Sequence, residues 1–243
     1  MYYDQHCFDV RCEWGEKGLE AIGPGSDVVI IVDVLSFSTT VDAAVSRGAA
    51  IFPYASDDPS AAGFAEEKNA RLVGKRGADK FSLSPRGMLE LPVGSRLVLP
   101  SQNGGAVSRR SGAKATLAGC FRNRRAVAEY AKNLGGTIAV IPCGERWEDG
   151  TLRPSVEDWL GAGAIIELLP GDHSPEARAA AASFGALRPD LRKMMEESAS
   201  GAELIERGYA DDVRFATELD CSDCVPMLVD GAFVDVARAA RMK

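Results

Sequence analysis

Three polar clusters in this chain, each following an apolar run, carry side chains suited to chemistry on a small charged molecule. The first is Asp33-Val34-Leu35-Ser36-Phe37-Ser38-Thr39-Thr40. A carboxylate that ends a buried strand, followed by hydroxyls at a helix N-terminus, can hold a divalent cation beside a phosphate. The same residues also suit a strand-end turn and a helix cap, and the segment alone does not decide between the two. The second is Ser101-Gln102-Asn103-Gly104-Gly105-Ala106, where two glycines ahead of a helix free backbone N–H groups for an oxyanion. By itself it reads better as an ordinary Asn-Gly turn. The third is Cys143-Gly144-Glu145-Arg146-Trp147, followed by Ser155-Val156-Glu157-Asp158. Ser155 fits an N-cap, and the helix dipole alone would favour Glu157 and Asp158 in the first turn. Adjacent residues point about 100° apart on a helix, so one of the two is expected to face a site.

The inventory argues against several chemistries. The only two histidines, His6 and His173, lie outside these clusters, which disfavours a histidine-based triad or a histidine phosphatase and favours metal-assisted chemistry through carboxylates. The first cluster looks superficially like the haloacid-dehalogenase motif, but the second aspartate that motif needs is Leu35 here. Six cysteines are present. Cys221 and Cys224 have the spacing of half a zinc site, yet His6, Cys7 and Cys12 do not supply a ribbon-like other half. Packing thiols are the default reading, with room for one in the active site. Gly161-Ala162-Gly163 falls inside a helix rather than after a strand, so close packing explains it better than dinucleotide binding.

Elements must bring the clusters together. Val28–Val32 is a continuous β-branched run, expected as a strand covered on both faces. Ser38 to Gly48 reads as an amphipathic helix, Ala49–Tyr54 as a strand, and Asp58–Ala70 as a helix capped by Asp57/Asp58-Pro59. Arg71–Gly74 is expected as a short strand entering a loop, Lys75–Pro92. Further strands are expected at Arg96–Pro100, Ala113–Ala118 and Thr137–Ile141, with helices at Gly105–Ser111, Asn123–Leu134 and Val156–Leu169. Pro175–Ala186, Pro189–Ser198 and Ala202–Arg207 read as successive helices, and Val225–Val236 as a hairpin turning at Asp230-Gly231. The alternation predicts an α/β fold: a mainly parallel sheet flanked by helices on both faces, with a C-terminal helical segment and a terminal β-hairpin. Residues 1–243 are expected to form one integrated unit, divisible at most into an α/β core over about 1–170 and helices plus hairpin over about 171–243. Ligands of such sheets bind beyond the carboxyl ends of strands, where all three clusters fall.

The 243 residues are 46% hydrophobic and carry a net charge of −7 with no basic block, which points away from a nucleic-acid partner. No apolar run is long enough to span a bilayer, and the N-terminal residues lack a signal-peptide pattern. The expectation is a cytoplasmic protein with no membrane partner, association into a homo-oligomer being left open.

Taken in order, the motifs carry a resemblance. They are Val32-Asp33-Val34-Leu35 with Thr39-Thr40, Gly74-Lys75-Arg76-Gly77, Ser84-Pro85, Asn103-Gly104 and Gly119-Cys120-Phe121-Arg122-Asn123. Cys143-Gly144, Glu157-Asp158 with Gly161-Ala162-Gly163, and Asp220 with Val225-Pro226 complete the series. The chain resembles the 2-phosphosulfolactate phosphatase family, magnesium-dependent α/β enzymes associated with coenzyme M biosynthesis. The resemblance implies hydrolysis of a phosphate monoester on a small anionic organic acid, a phosphorylated acid being the substrate partner and Mg2+ the cofactor. It implies Asp33 as a magnesium ligand, with Glu145, Glu157 or Asp158 completing the shell, and Asp33, Lys75, Arg76 and Glu145 as catalytic residues. Ser38, Thr39, Thr40, Asn103 and Gly104 would hold phosphate oxygens. Ser36, Lys75 and Gly105 replace the arginine, glutamate and threonine expected from the family pattern. The alternative is a catalytically altered member that binds a small anion without turnover.

Overall fold

The computed structural model describes residues 2–55 and 59–241. Its strands are β1 (Val10–Cys12), β2 (Val28–Val32), β3 (Ala50–Tyr54), β4 (Arg71–Leu72), β5 (Arg96–Pro100), β6 (Ala115–Gly119), β7 (Ile138–Pro142), β8 (Glu145–Arg146), β9 (Leu152–Arg153), β10 (Pro226–Val229) and β11 (Ala232–Asp235). Its α-helices are α1 (Gly15–Ile22), α2 (Phe37–Ser46), α3 (Ser60–Glu67), α4 (Pro85–Met88), α5 (Gly104–Arg110), α6 (Arg124–Leu134), α7 (Val156–Ile166), α8 (Pro175–Leu187), α9 (Leu191–Glu197), α10 (Ala199–Glu206), α11 (Ala210–Ala216) and α12 (Val236–Arg241). None of the described helices is long and apolar enough to cross a membrane.

One mostly parallel sheet runs β1-β7-β2-β6-β10-β11-β3-β5-β4, while β8 and β9 form a small separate hairpin. As the β-branched run requires, β2 is buried along its whole length. Val28, Ile30 and Val32 join Leu117, Val140 and residues of α7 and α8 in one apolar cluster, and Val29 and Ile31 join residues of α1 and α5 in another. Gly161 and Gly163 do permit close packing. A Cβ on Gly161 would stand 2.6 Å from Val34, and one on Gly163 2.0 Å from the Ala180 carbonyl oxygen of α8.

The β10–β11 hairpin is terminal in sequence but central in space. It pairs antiparallel with β6 on one side and β3 on the other, joining two parallel sets of strands. Its turn residues Asp230 and Gly231 have φ of 50° and 82°, the left-handed pair that a two-residue type I′ turn demands. By pairing, β3, β5 and β4 run opposite to β2. Twist of about 20–25° per strand accumulates across the intervening strands, swinging the carboxyl end of β5 towards that of β2.

Several expectations are corrected. The helix expected to be amphipathic, α2, is buried from Phe37 to Val45, because it packs against Ile51, Leu99, Ala118 and Phe233 as well as Met88 of α4. The short strand ends at Leu72, and the loop after it contains α4. The Asp57/Asp58 cap lies outside the described residues, and α3 begins at Ser60. Leu134, the last residue of α6, is exposed. β1, α1, α11 and the β8–β9 pair lack the long periodic runs that make an element legible.

Candidate active site

The three clusters meet. Asp33 follows β2, and its Oδ1 accepts the N–H of Phe37 at 3.0 Å. Its Oδ2 accepts the N–H of Gly104, the first residue of α5, at 2.9 Å. Asn103 donates from Nδ2 to Oε2 of Glu145 at 2.9 Å. Asp158, in the first turn of α7, closes the arrangement by accepting the N–H groups of Val34 at 2.7 Å and Gly144 at 2.8 Å. Glu157 is equally buried but accepts no hydrogen bond among the described residues. The helix start therefore brings both carboxylates to the cluster, where one was expected. Asp158 ties two loops together and Glu157 is left uncommitted. Ser155 sits at the N-cap of α7 without making a side-chain cap, and its buried hydroxyl has no partner.

Four carboxylates are concentrated here, and burial and mutual repulsion shift Asp33, Asp158 and Glu145. Burial raises the pKa of Asp33, with the negative charge of Glu157 adding and the bonds from Phe37 and Gly104 opposing. Asp158 is raised well above the ordinary range by burial and then by Asp33, Glu157 and Glu145. Glu145 is pushed up to about 7, by burial first and then by Asp33 and Glu157, against the bond from Asn103 and the charge of Arg153. The thiol of Cys143 is also raised by burial and by the neighbouring carboxylates. It therefore stays protonated and is no thiolate nucleophile.

A carboxyl with a higher pKa in the folded state than in the unfolded state stabilises the fold at low pH and loses that contribution as pH rises. For Glu145 the window runs from the ordinary 4.5 to about 7. Glu145→Gln keeps an acceptor for Asn103 and removes the charge. In metal-free protein its melting temperature should exceed the parent's by a margin that widens as pH rises through this window. Thermal melts in chelator check this, and a pH-independent margin counts against the assigned cause.

Other expected site residues are placed differently. The hydroxyls of Ser38, Thr39 and Thr40 are buried and donate to the carbonyls of Ile31, Val34 and Leu83. The Gly104 N–H is held by Asp33, and that of Asn103 points to Ser101 Oγ at 3.3 Å. These donors, assigned from sequence to a phosphate, are engaged within the protein, because buried polar groups must be satisfied. Lys75 is exposed, whereas the side chain of Arg76 turns inward. Arg76 donates to Ser36 Oγ at 3.0 Å and to the Leu83 carbonyl, lies over the Tyr209 ring at 5.1 Å, and has Asp212 3.9 Å from Nε. Ser36, where the family pattern led to an arginine, thus has a guanidinium beside it, supplied from the loop after β4. Tyr209 and Asp212 escaped the sequence reading as contributors, and no local signal pointed to them, whereas Gly144 lay inside the third cluster without a role.

The donor set suits a hard cation. Among the described residues no three His, Cys, Asp or Glu side chains stand ready to enclose a metal ion. Magnesium uses one or two carboxylates and keeps several waters, so the uncommitted Glu157 and the second lone pair of Asp33 Oδ1 fit it without a protein cage, the other oxygen of Asp33 being taken by Gly104 and Ser101.

A model of the family described as 2-phosphosulpholactate phosphatase matches residues 19–231. The probable 2-phosphosulfolactate phosphatase of Thermotoga petrophila is 31% identical over 215 residues, covering 84% of this chain and 90% of that protein. The 2-phosphosulfolactate phosphatase of Methanothermobacter thermautotrophicus is 31% identical over 215 residues, covering 85% and 89%. A Thermus thermophilus relative, described as probable, is 32% identical over 214 residues, covering 83% and 88%.

Proposed function

This chain belongs to the 2-phosphosulfolactate phosphatase family, and on that premise we propose that it hydrolyses the phosphate ester of 2-phosphosulfolactate to sulfolactate and phosphate. The observation that carries the reading is the hydrogen-bonded meeting of three strand-end clusters around Asp33. We propose further that Asp33 and Glu157, backed by Asp158, hold a magnesium ion. When bound, it would neutralise charge on the phosphoryl oxygens.

The protein's own groups supply the rest. Glu145, titrating at about 7, can take a proton from the attacking water as the new P–O bond forms and the ester P–O bond breaks, and the departing alkoxide oxygen of sulfolactate then takes up that proton, since a group poised near the working pH serves as both base and acid. Its bond from Asn103 keeps one oxygen fixed and leaves the other for that task. Arg76, its side chain fixed by Tyr209 and Asp212, offers charge-assisted donors to the incoming anion. Lys75, exposed on the same loop, adds long-range attraction in a protein of charge −7. The reduced thiols suit a cytoplasmic setting.

Release of inorganic phosphate from 2-phosphosulfolactate should require magnesium and stop in chelator. Absence of release from this and related phosphorylated acids, with binding retained, overturns hydrolysis in favour of an anion-binding role.

A further inference from the structure

Beside the carboxylates lies a cleft of about 560 Å³ whose walls include Glu16, Gln102, Arg109, Arg110 and Arg146. It shares a wall with the site, because Gln102 precedes Asn103 and Arg146 follows Glu145, the pair joined at 2.9 Å. Three arginines line this cleft with one carboxylate, Glu16, which two of them share. Arg146 bonds Glu16 at 2.9 Å and the Gln102 carbonyl at 3.1 Å, while Arg110 bonds Glu16 at 2.7 Å and reaches Glu20 at 3.6 Å. Arg109 differs. Its guanidinium lies over the rings of Tyr54 and Phe64 at 4.9 and 5.0 Å and has no carboxylate partner among the described residues. Stacking fixes the plane of the group while leaving its edge N–H donors unspent, the arrangement that suits a polyoxygen anion. A cleft with surplus positive charge, next to four carboxylates in a protein of charge −7, marks where a second negative group of a ligand can sit without repulsion.

We propose that this cleft is the sulfonate subsite of the substrate, with Arg109 the gripping residue and Arg146 setting the wall. The proposal rests on the phosphatase reading for the identity of its ligand. It assigns the phosphate to the Asp33 and Glu145 side and the sulfonate to the arginine side, so that Arg109 determines specificity.

The experiment compares parent, Arg109→Gln and Arg109→Lys on 2-phosphosulfolactate and on 2-phospholactate, which lacks the sulfonate, and measures sulfolactate binding by calorimetry. Loss of one charge-assisted contact should raise KM for 2-phosphosulfolactate about 10- to 100-fold in Arg109→Gln, with kcat little changed. The constants for 2-phospholactate should hardly move, and Arg109→Lys should recover part of the loss. Sulfolactate affinity should fall in parallel. Equal losses on both substrates, or none, overturn the subsite while leaving the phosphatase reading in place. A parent that binds sulfolactate through Arg109 but hydrolyses neither ester overturns the phosphatase reading and leaves the subsite standing. A parent that neither binds nor hydrolyses removes both.

Discussion

Asp33→Asn should lower phosphate release by about 10³-fold or more, the scale on which loss of a central electrostatic group is felt. Both oxygens of Asp33 are in use, one by Phe37 and one by Gly104. An asparagine can accept only one of these bonds, and its amide N–H₂ then faces the other N–H. That conflict costs about 1–3 kcal/mol. The substitution also removes a buried charge that Glu157, Asp158 and Glu145 all repel, which offsets part of that cost. The expected outcome is near-complete loss of activity with a melting temperature displaced by a few degrees, at about 2–4 °C per kcal/mol for a chain of this size. Rate assays and thermal melts on the same preparations check it. Retained turnover removes Asp33 from the chemistry, and wholesale unfolding assigns it to structure alone.

Gly104→Ala should impair both the fold and the rate. An added Cβ would stand 2.4 Å from Cδ1 of Phe37 and 2.8 Å from Oδ2 of Asp33. Phe37 cannot withdraw, because it is fully buried against Phe233 with ring centroids 6.2 Å apart. Overpacking of this kind costs about 1–3 kcal/mol, and the cheapest relief is a shift of α5 away from Asp33. Misplacing a catalytic group by about 1 Å can lower the rate about 10²-fold. Gly112→Ala is the matched control, since nothing lies within 4 Å of its Cβ position. It should alter neither melting temperature nor turnover. If Gly104→Ala behaves like the control, the approach of α5 to Asp33 has no part in catalysis.

Sequence by itself determined the pieces that depend on local periodicity. Val28–Val32 could only be a strand buried on both faces, and Asp230-Gly231 between two alternating runs could only be a tight turn. The clusters after β2, β5 and β7 were legible as strand ends, and the order of their motifs identified the family. Tertiary structure decided how those pieces are used. The hairpin enters the middle of the sheet, which nothing in its own residues dictates, because strand pairing is set by neighbours distant in the chain. Its insertion reverses β3 and β5 relative to β2, and accumulated twist brings Gly104 to Asp33 nonetheless. Burial then reassigned the hydroxyls of Ser38, Thr39 and Thr40: with α2 enclosed, their protons had to be given to nearby carbonyls. Arg76 meets Ser36 with Asp212 of α11 and Tyr209, the residue before that helix, packed against its guanidinium, a contact between segments more than a hundred residues apart in the chain. Residue types and short-range spacing record which chemistry a chain can do. Which donors stay unspent for a ligand depends on long-range satisfaction of buried polar groups, and only the folded chain resolves that.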